Sequence, residues 1–597
     1  MLAVLLLWGV VQAGFVYAGI SPILKGDLAD SDAYLQLVKV SHLVETGDWY
    51  DSLLPRSNWP YGEVTTWTRS VDIVLVAGAA LLRPFMSFHD ALFWFGVALS
   101  PLCALACAYS IGWMAKPMLG PEERLSIMLL LLLQPGVLSY TYARGPNHHG
   151  LLFLAFIFAC GFVLRALGQP EKRRAAIGAG IAAGVGLWIS MEFLLPLVVV
   201  LASFGVLWLR EGDRWVGVNR FFSIGFALAV AVLLPIERSP FAGLLADEYD
   251  RLSIVHLMLA LIVLAAWTIL PFAARYAGSG FAARALSAAV VIGLAGAAMY
   301  AIYPKFFGGP FVDADPALIP FLITGNADWQ SSFPTSLAGL GRFLMYLGTA
   351  TLCLPWTLRN LWIRRHDRSA PAWLFLLLML LVYVAISVRS HRFSGFAEIA
   401  SLIALVDFIG WVRTGLGRTK AGWQPLARAG AVTAIVVGLP SAGALALSLS
   451  MGGATTTAGN DCRLADIAPV LNDPAGLGGN QHVILAEIHD GSEILYRTPH
   501  AVLATPMIRN AGVLDTYRIL SAPGDTAAES IVQARHVDLI LLCPGARERQ
   551  VFGSDKNRDT FYNRLVDGHL PSWIQPVALS GDTARHFRLF AVRHAAP

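Results

Sequence analysis

The sequence predicts a polytopic α-helical membrane protein with a small α/β domain at its C-terminal end. Three observations predict it. Of 597 residues, 56% are hydrophobic and 14% are charged, against about 25% charged in an ordinary soluble domain. Mean hydropathy is +0.59, too apolar for a chain of this size to cover itself with a polar surface. The apolar residues are also gathered into runs long enough to cross a bilayer, followed by a more polar tail. A soluble enzyme and a disordered chain are both excluded. With 44 Lys+Arg against 40 Asp+Glu, the net charge of +4 offers no basic field for nucleic acid.

A spanning helix needs about 20 mainly apolar residues. Thirteen runs qualify: 1–20, 91–115, 125–142, 150–167, 174–191, 193–209, 220–236, 253–274, 283–302, 338–358, 371–388, 396–413 and 428–449. The run 71–86 is shorter and is closed by Arg83 and Pro84. It reads as a helix lying along the membrane surface. Charge placement agrees. With the N-terminus cytoplasmic and 71–86 not spanning, clusters such as Lys116 and Arg124, Arg165 with Lys172, Arg173 and Arg174, and Arg364, Arg365 and Arg368 share one side. The other side keeps few basic residues, chiefly Arg144, Arg238, Arg251, Lys305, Arg389 and Arg392. Making 71–86 a span would reverse the later basic loops, against the positive-inside rule. Segment 1–20 has no basic n-region. It reads as the first span, with a cleaved leader as the alternative.

The transmembrane region 1–449 then carries two long outer loops, 21–90 and 303–337, and residues 450–597 form an external domain. Within that domain, 482–488 (HVILAEI) and 537–543 (VDLILLC) read as buried strands and 525–535 as a helix. The glycines at 476–479 read as a loop, since no Gly-Lys-Ser/Thr ending follows. Cys103, Cys107, Cys160 and Cys353 lie in apolar runs as small buried residues. Cys462 and Cys543 lie in the polar tail, where an oxidising compartment would permit a disulfide. Spacing alone does not bring two thiols together.

In a chain so poor in charge, the outer carboxylates form two short groups: Asp27, Asp30 and Asp32 after the first span, and Asp313, Asp315 and Asp328 in the second long loop. Each suits a solvated loop, and one from each loop also suits a shared hard cation. Arg144-Gly-Pro-Asn-His-His-Gly150 joins two spans. Asn147 is placed to cap the following helix, and neighbouring helical residues point apart, so one histidine is expected to face any given site. Arg389 and Arg392, at the end of a span, suit either interfacial snorkelling or lipid-phosphate binding. The aromatic, polar stretch 47–69, with Trp67 and Arg69, suits sugar stacking or interfacial anchoring.

These pieces, in this order, resemble the GT-C superfamily of membrane glycosyltransferases, in particular the catalytic subunit of oligosaccharyltransferase and its bacterial relatives. Asp32-Ala-Tyr34 is similar to the family's Asp-x-Tyr motif, and Asn147-His148-His149 to its Asp-His-His. Asp328 is similar to the acid of its fifth outer loop, and Arg392-Phe393 to a late Arg-Phe pair. The resemblance covers most of residues 1–410. It implies Asp32 as the catalytic residue, a divalent metal (Mg2+ or Mn2+) held by Asp32, Asn147, His149 and Asp328, and lipid-phosphate binding by Arg392 and Arg389. Tyr34, His148, Trp67 and Arg69 would then be substrate-loop residues. Two departures stand out. A neutral Asn147 replaces an acid, and the Trp-Trp-Asp acceptor motif is absent, since the tail holds a single tryptophan, Trp573.

The expected activity is inverting transfer of a sugar, hexosyl, pentosyl or oligosaccharyl, from a polyprenyl-phosphate-linked donor to a lipid or polysaccharide acceptor. It would act at the outer face of a bacterial inner membrane, with the C-terminal domain periplasmic. One alternative is an oligosaccharyltransferase acting on protein. From other classes come a lipid or solute transporter or flippase, which needs ionisable groups near mid-membrane, and a non-catalytic assembly protein.

Overall fold

A computed structural model describes residues 1–278, 280–319, 326–415, 424–450, 462–545 and 559–594. Parts of the second outer loop (320–325) and of the C-terminal domain (451–461, 546–558) therefore lie outside the described residues. Each expected apolar run falls on helix. In chain order these helices are α1 (Leu2–Tyr17), α4 (Phe88–Met114), α5 (Pro121–Leu131) with α6 (Pro135–Thr141), and α7 (His148–Gly168). Then come α8 (Arg173–Ile189), α9 (Leu194–Glu211), α10 (Val216–Glu237), α11 (Ile254–Ala277) and α12 (Phe281–Ile302). The set closes with α13 (Leu337–Arg342) running through a π-turn into α14 (Gly348–Ile363), α15 (Ala370–Arg389), α16 (Ser394–Gly415), α17 (Gln424–Thr433) and α18 (Leu439–Ser450). Among the described residues, nine helical stretches are long and apolar enough to cross a membrane, or ten with the bent pair α5–α6. One of the nine, Met191–Glu237, holds both α9 and α10. The chain is a multi-span membrane protein.

The shorter helices of the first long loop are α2 (Ser31–Thr46) and α3 (Arg69–Leu82). At 14 residues, α3 is about 21 Å long, short of the roughly 30 Å hydrocarbon core. It lies on α4, where a Cβ at Gly78 would meet the Phe95 ring at 2.1 Å. The run read as one span at 125–142 is broken instead. Pro135 starts α6, and α5 and α6 meet at 61°. Glu398 of α16 closes the break by accepting from the Gly136 and Val137 N–H groups, each at 2.9 Å. This places a carboxylate at the positive end of a helix. Close packing of α8 on α10 rests on small residues. A Cβ at Gly180 would stand 2.1 Å from the Phe222 carbonyl, and one at Gly225 would stand 2.3 Å from that of Ile177.

In the first long loop β1 (Leu53–Leu54) pairs antiparallel with β2 (Glu63–Val64), and the C-terminal domain has a five-stranded sheet. Its members are β3 (Val483–Leu485), β4 (Ala501–Val502), β5 (Leu539–Leu542), β6 (Ile574–Pro576) and β7 (Arg588–Val592). The order is β4-β3-β5-β7-β6, parallel across β4, β3 and β5 and antiparallel at β7 and β6. The expected strands at 482–488 and 537–543 are β3 and β5, and the expected helix is Asp525–Ala534. Cys462 and Cys543 are joined by a disulfide, and the other four cysteines are buried and free.

The first outer loop is fastened to this domain. Leu35, Val38 and Leu54 share one apolar core with Ile484, Ile494 and Leu541. Arg56 donates to the carbonyls of Leu495, Thr498 and His500 at 2.8 to 2.9 Å. Asp27 pairs with Arg463 at 2.8 Å and Arg497 at 2.9 Å. Glu63, buried and pushed up in pKa by that burial, accepts from Ser57, Thr505 and Asn510.

Replacing Arg56 with Ala strands three partly buried carbonyls, and charged hydrogen bonds of this kind are worth about 1.5–3 kcal/mol. Arg56→Ala should therefore lower the melting temperature and expose the C-terminal domain to limited proteolysis. Unchanged proteolytic half-life would contradict the fastening role.

Candidate active site

The site is built at the ends of helices, where their caps bring polar groups together. Asp30 caps α2, accepting from the Ala33 N–H at 2.8 Å, and its second oxygen pairs with Arg144. Arg144 is held in turn by the Ser139 carbonyl at 2.8 Å and by the faces of Tyr140 and Tyr142. The α6–α7 turn presses on α2 at Gly145, which has φ +120° and where a Cβ would stand 2.7 Å from that of Ala33. Only glycine fits such an approach at that φ.

Asp32 follows in the first turn of α2. Its side chain reaches solvent, yet protein closes around it. Desolvation first, then the neighbouring Asp30 carboxylate, lifts its pKa to about 6, against the pull of Arg392, His489 and Arg144. A carboxylate titrating there is suited to taking a proton near neutral pH.

Asn147 caps α7, as expected. Its Oδ1 accepts from both the His149 N–H and His149 Nδ1, each at 2.8 Å. An amide oxygen can only accept, so Nδ1 carries the proton and Nε2 is left with its lone pair. The ring is fixed further by stacking on Tyr140, with centroids 4.0 Å apart. His149 Nε2 then faces Glu192 Oε2 at 4.0 Å. Glu192 sits in the turn between α8 and α9, and its other oxygen accepts from Arg392 Nε at 2.7 Å. On its far side Arg392 Nη1 stands 3.8 Å from Asp328, and the guanidinium lies over Trp329. Asp328 is anchored through its carbonyl, which accepts from Ser390 Oγ at 3.0 Å.

His148, His149 and Glu192 each offer a ligand atom within 4.8 Å of the others. The residues present fit a divalent cation. Both His149 Nε2 and Glu192 Oε2 are buried without a hydrogen-bond partner. Their 4.0 Å separation is too long for a hydrogen bond, so both lone pairs stay available to a shared cation, whose tetrahedral ligands stand about 3.4 Å apart.

This cluster differs from the ligand set expected from the sequence. Both histidines turn to it, because the helix start lets His148 and His149 lie ring against ring at 4.2 Å. Asn147 spends its oxygen on His149, acting as the orienting group behind a ligand. Asp32 and Asp328 are not in the cluster, although both act electrostatically on groups of the same recess. Glu192 was no candidate ligand, and its only signal was an acid at the outer end of an apolar run.

Other expected site residues have different partners. Tyr34 is buried, and its hydroxyl accepts from the Leu28 N–H and from Arg497, both at 2.9 Å, and hydrogen-bonds the Glu493 carboxyl of the C-terminal domain. Trp67 gives its carbonyl to Lys39 Nζ at 2.8 Å. Arg69 is buried against Asp72 at 2.9 Å. Arg389 is exposed at the end of α15, without an ion pair among the described residues. Of the other outer acids, Asp313 pairs with Lys305 at 2.8 Å.

No protein-family model matches the sequence, and no curated protein matches it. Solved structures do. The archaeal oligosaccharyltransferase AglB from Archaeoglobus fulgidus, in complex with an inhibitory peptide and a dolichol-phosphate, aligns with a TM-score of 0.66 at 13% identity. The match covers 88% of this chain and 66% of that one. The same enzyme in complex with Zn and sulfate aligns at 0.58 and 12%, over 88% and 65%. ArnT from Cupriavidus metallidurans in the apo state gives 0.44 and 14%, over 98% and 97%. The chain thus shares the fold of the archaeal oligosaccharyltransferase structure, and spans about two thirds of the length of that chain.

Dialysis against Mn2+ or Zn2+ followed by elemental analysis should leave about one ion per wild-type chain. Glu192→Gln and His149→Ala should lose it. Asn147→Ala should weaken binding by about tenfold or more, the usual cost of an orienting partner. Equal metal content in all four proteins would remove the cluster as a metal site.

Proposed function

We propose that the chain is a membrane glycosyltransferase. It moves a sugar from a polyprenyl-phosphate-linked donor to a lipid or polysaccharide acceptor, on the periplasmic side of a bacterial inner membrane. The observation that carries this reading is the arrangement around Arg392: Glu192 of the His148–His149–Glu192 cluster stands at 2.7 Å and Asp328 at 3.8 Å, and the same guanidinium acts electrostatically on Asp32. The shared fold supports it, since dolichol-phosphate, zinc and sulfate occur in structures of the archaeal enzyme.

In this reading Asp32 takes the proton of the acceptor hydroxyl. That oxygen forms a bond to the anomeric carbon from the face opposite the carrier. The carbon–oxygen bond to the carrier phosphate breaks, and its electron pair leaves with the phosphate, inverting the centre. Arg392 is placed to receive the charge that gathers there. Its Nε is held by Glu192 and its Nη1 faces Asp328, which fixes the guanidinium while Nη2 makes no bond to a described residue. When bound, a divalent cation held by His148, His149 and Glu192 would supply Lewis-acid neutralisation of that charge. Two imidazoles with one carboxylate suit Mn2+ better than Mg2+. Arg389, exposed at the end of α15, would be a second phosphate contact.

Transfer to protein sequons is less well supported. Trp573, the one tryptophan of the tail, is buried in the domain core and stacks on Phe561. Transport is disfavoured by the ionisable groups inside the described spans. Glu398 caps α6, Asp407 accepts from Trp356 and Asn360, and Glu237 accepts from Trp188 and the Arg69 N–H. Each is committed to a structural partner rather than to a relay.

Proteoliposomes supplied with radiolabelled polyprenyl-phosphate sugar should form product, and EDTA should suppress it. Asp32→Asn should lower the rate by about 10²–10⁴-fold, and wild-type turnover should rise with pH through an apparent pKa near 6. The sign for stability is opposite. A carboxyl raised in the folded state costs stability as pH climbs from its ordinary 3.8 to about 6. Asp32→Asn should therefore melt no lower than wild type at neutral pH. Full activity in that variant would remove Asp32 from the mechanism.

A further inference from the structure

A second concavity lies at the far end of the bundle. It opens where α4 and α7 end and α8 and α15 begin, with a volume of about 770 Å³. Arg165, on its wall, is seventeen residues along α7 from His148. At 1.5 Å per residue, about 25 Å separates this recess from the histidine cluster.

Five cationic side chains line it: Lys116, Arg165, Lys172, Arg174 and Arg368. No carboxylate does. Glu171 and Asp367 are next in sequence to two of the cations but are not part of the wall. None of the five forms an ion pair with a described residue, whereas nearby Arg364 pairs with Asp407. Two helices begin here and two end, so their dipoles offset and the positive field belongs to the side chains. A basic face alone is ordinary on one side of a membrane protein. Here the charge converges on a recess with a fixed centre. Arg165 donates to the Gly161 carbonyl at 2.7 Å and to that of Trp113 at 2.5 Å, and its guanidinium stacks 3.7 Å from the Trp113 ring. Phe162 and Met118 add an apolar side to the same wall.

We propose that this recess binds the phosphodiester headgroup of an anionic phospholipid, on the membrane face opposite the active site. Phosphate oxygens would meet the donors of Lys116, Lys172, Arg174 and Arg368, which have no ion pair among the described residues, beside the anchored charge of Arg165, and the acyl stem would lie along Phe162 and Met118. With five cations and no acid, a headgroup carrying two phosphodiesters satisfies more of the field than one carrying a single phosphate. A dianionic lipid should therefore bind ahead of a monoanionic one, and a zwitterionic one last. The inference does not depend on the catalytic reading, since the two sites share no residue.

The test uses the full chain purified in neutral detergent and titrated with cardiolipin, phosphatidylglycerol or phosphatidylcholine, with bound lipid counted by native mass spectrometry. Wild type should retain cardiolipin most strongly and phosphatidylcholine least. The triple variant Lys172→Gln, Arg174→Gln, Arg368→Gln should bind cardiolipin about a hundredfold more weakly, taking about 1 kcal/mol per surface cation. These three side chains are exposed and unpaired, so the melting temperature should not move. Millimolar inorganic phosphate should leave the lipid in place. Equal retention by wild type and variant, or no preference over phosphatidylcholine, overturns the site. Complete displacement by inorganic phosphate overturns the lipid as its occupant in favour of a soluble phosphate.

Discussion

One carboxylate organises the rim of the bundle. Glu192 gives one oxygen to Arg392 and turns the other toward His149. Neither commitment is local, since 200 residues of chain lie between Glu192 and Arg392. Breaking a partly buried pair of this kind leaves an uncompensated charge, which costs far more than the pair itself gains. The pair therefore pins the α8–α9 turn to the start of α16. It also holds Arg392 between two acids, so the guanidinium is fixed in orientation. Preorganised charge of this kind needs no rearrangement when the reaction occurs.

The opposite wall is set by a different device. Asp30 spends one oxygen on the α2 cap and the other on Arg144, which leaves Asp32 beside a satisfied acid in a partly desolvated place. The upward shift in Asp32 thus follows first from desolvation and then from the neighbouring Asp30 carboxylate, against the pull of the nearby cations. Asn147 does comparable work at the start of α7. Its amide selects the histidine tautomer with a free Nε2. An aspartate there would do the same with a negative charge added. The exchange to asparagine changes the charge of the cluster while keeping its shape.

Much of the fold was legible because its causes are local or compositional. Hydrocarbon thickness dictates the length of the apolar runs, and period and turn residues mark the strands at 482–488 and 537–543. The cap at Asn147 needs only three consecutive residues. What was not legible depends on contacts between distant segments. The break at Pro135 was hidden because composition does not register that Glu398, more than 250 residues on, satisfies the freed N–H groups. Glu192 stands at the end of an apolar run, and nothing local in the sequence points to its partners His149 and Arg392. Tyr34 and Arg69 sit in motif-like surroundings, yet each is used in joining loop to domain or loop to helix. Short motifs therefore pointed to the right loops and were less able to say which side chains would face the recess.

The fastening of residues 27–63 to the C-terminal domain bears on how the molecule opens. Arg56, Arg463 and Arg497 cross that boundary, and a single apolar core lies beneath them. Solvent can enter the seam only by exposing that core, so loop and domain should exchange their amide hydrogens as one cooperative block. Asp32 rides on α2, within that block, while Arg392 and Glu192 ride on the helices below. Any breathing that lifts the block would draw Asp32 away from Arg392 as a unit, coupling solvent entry at the seam with separation of these two charges.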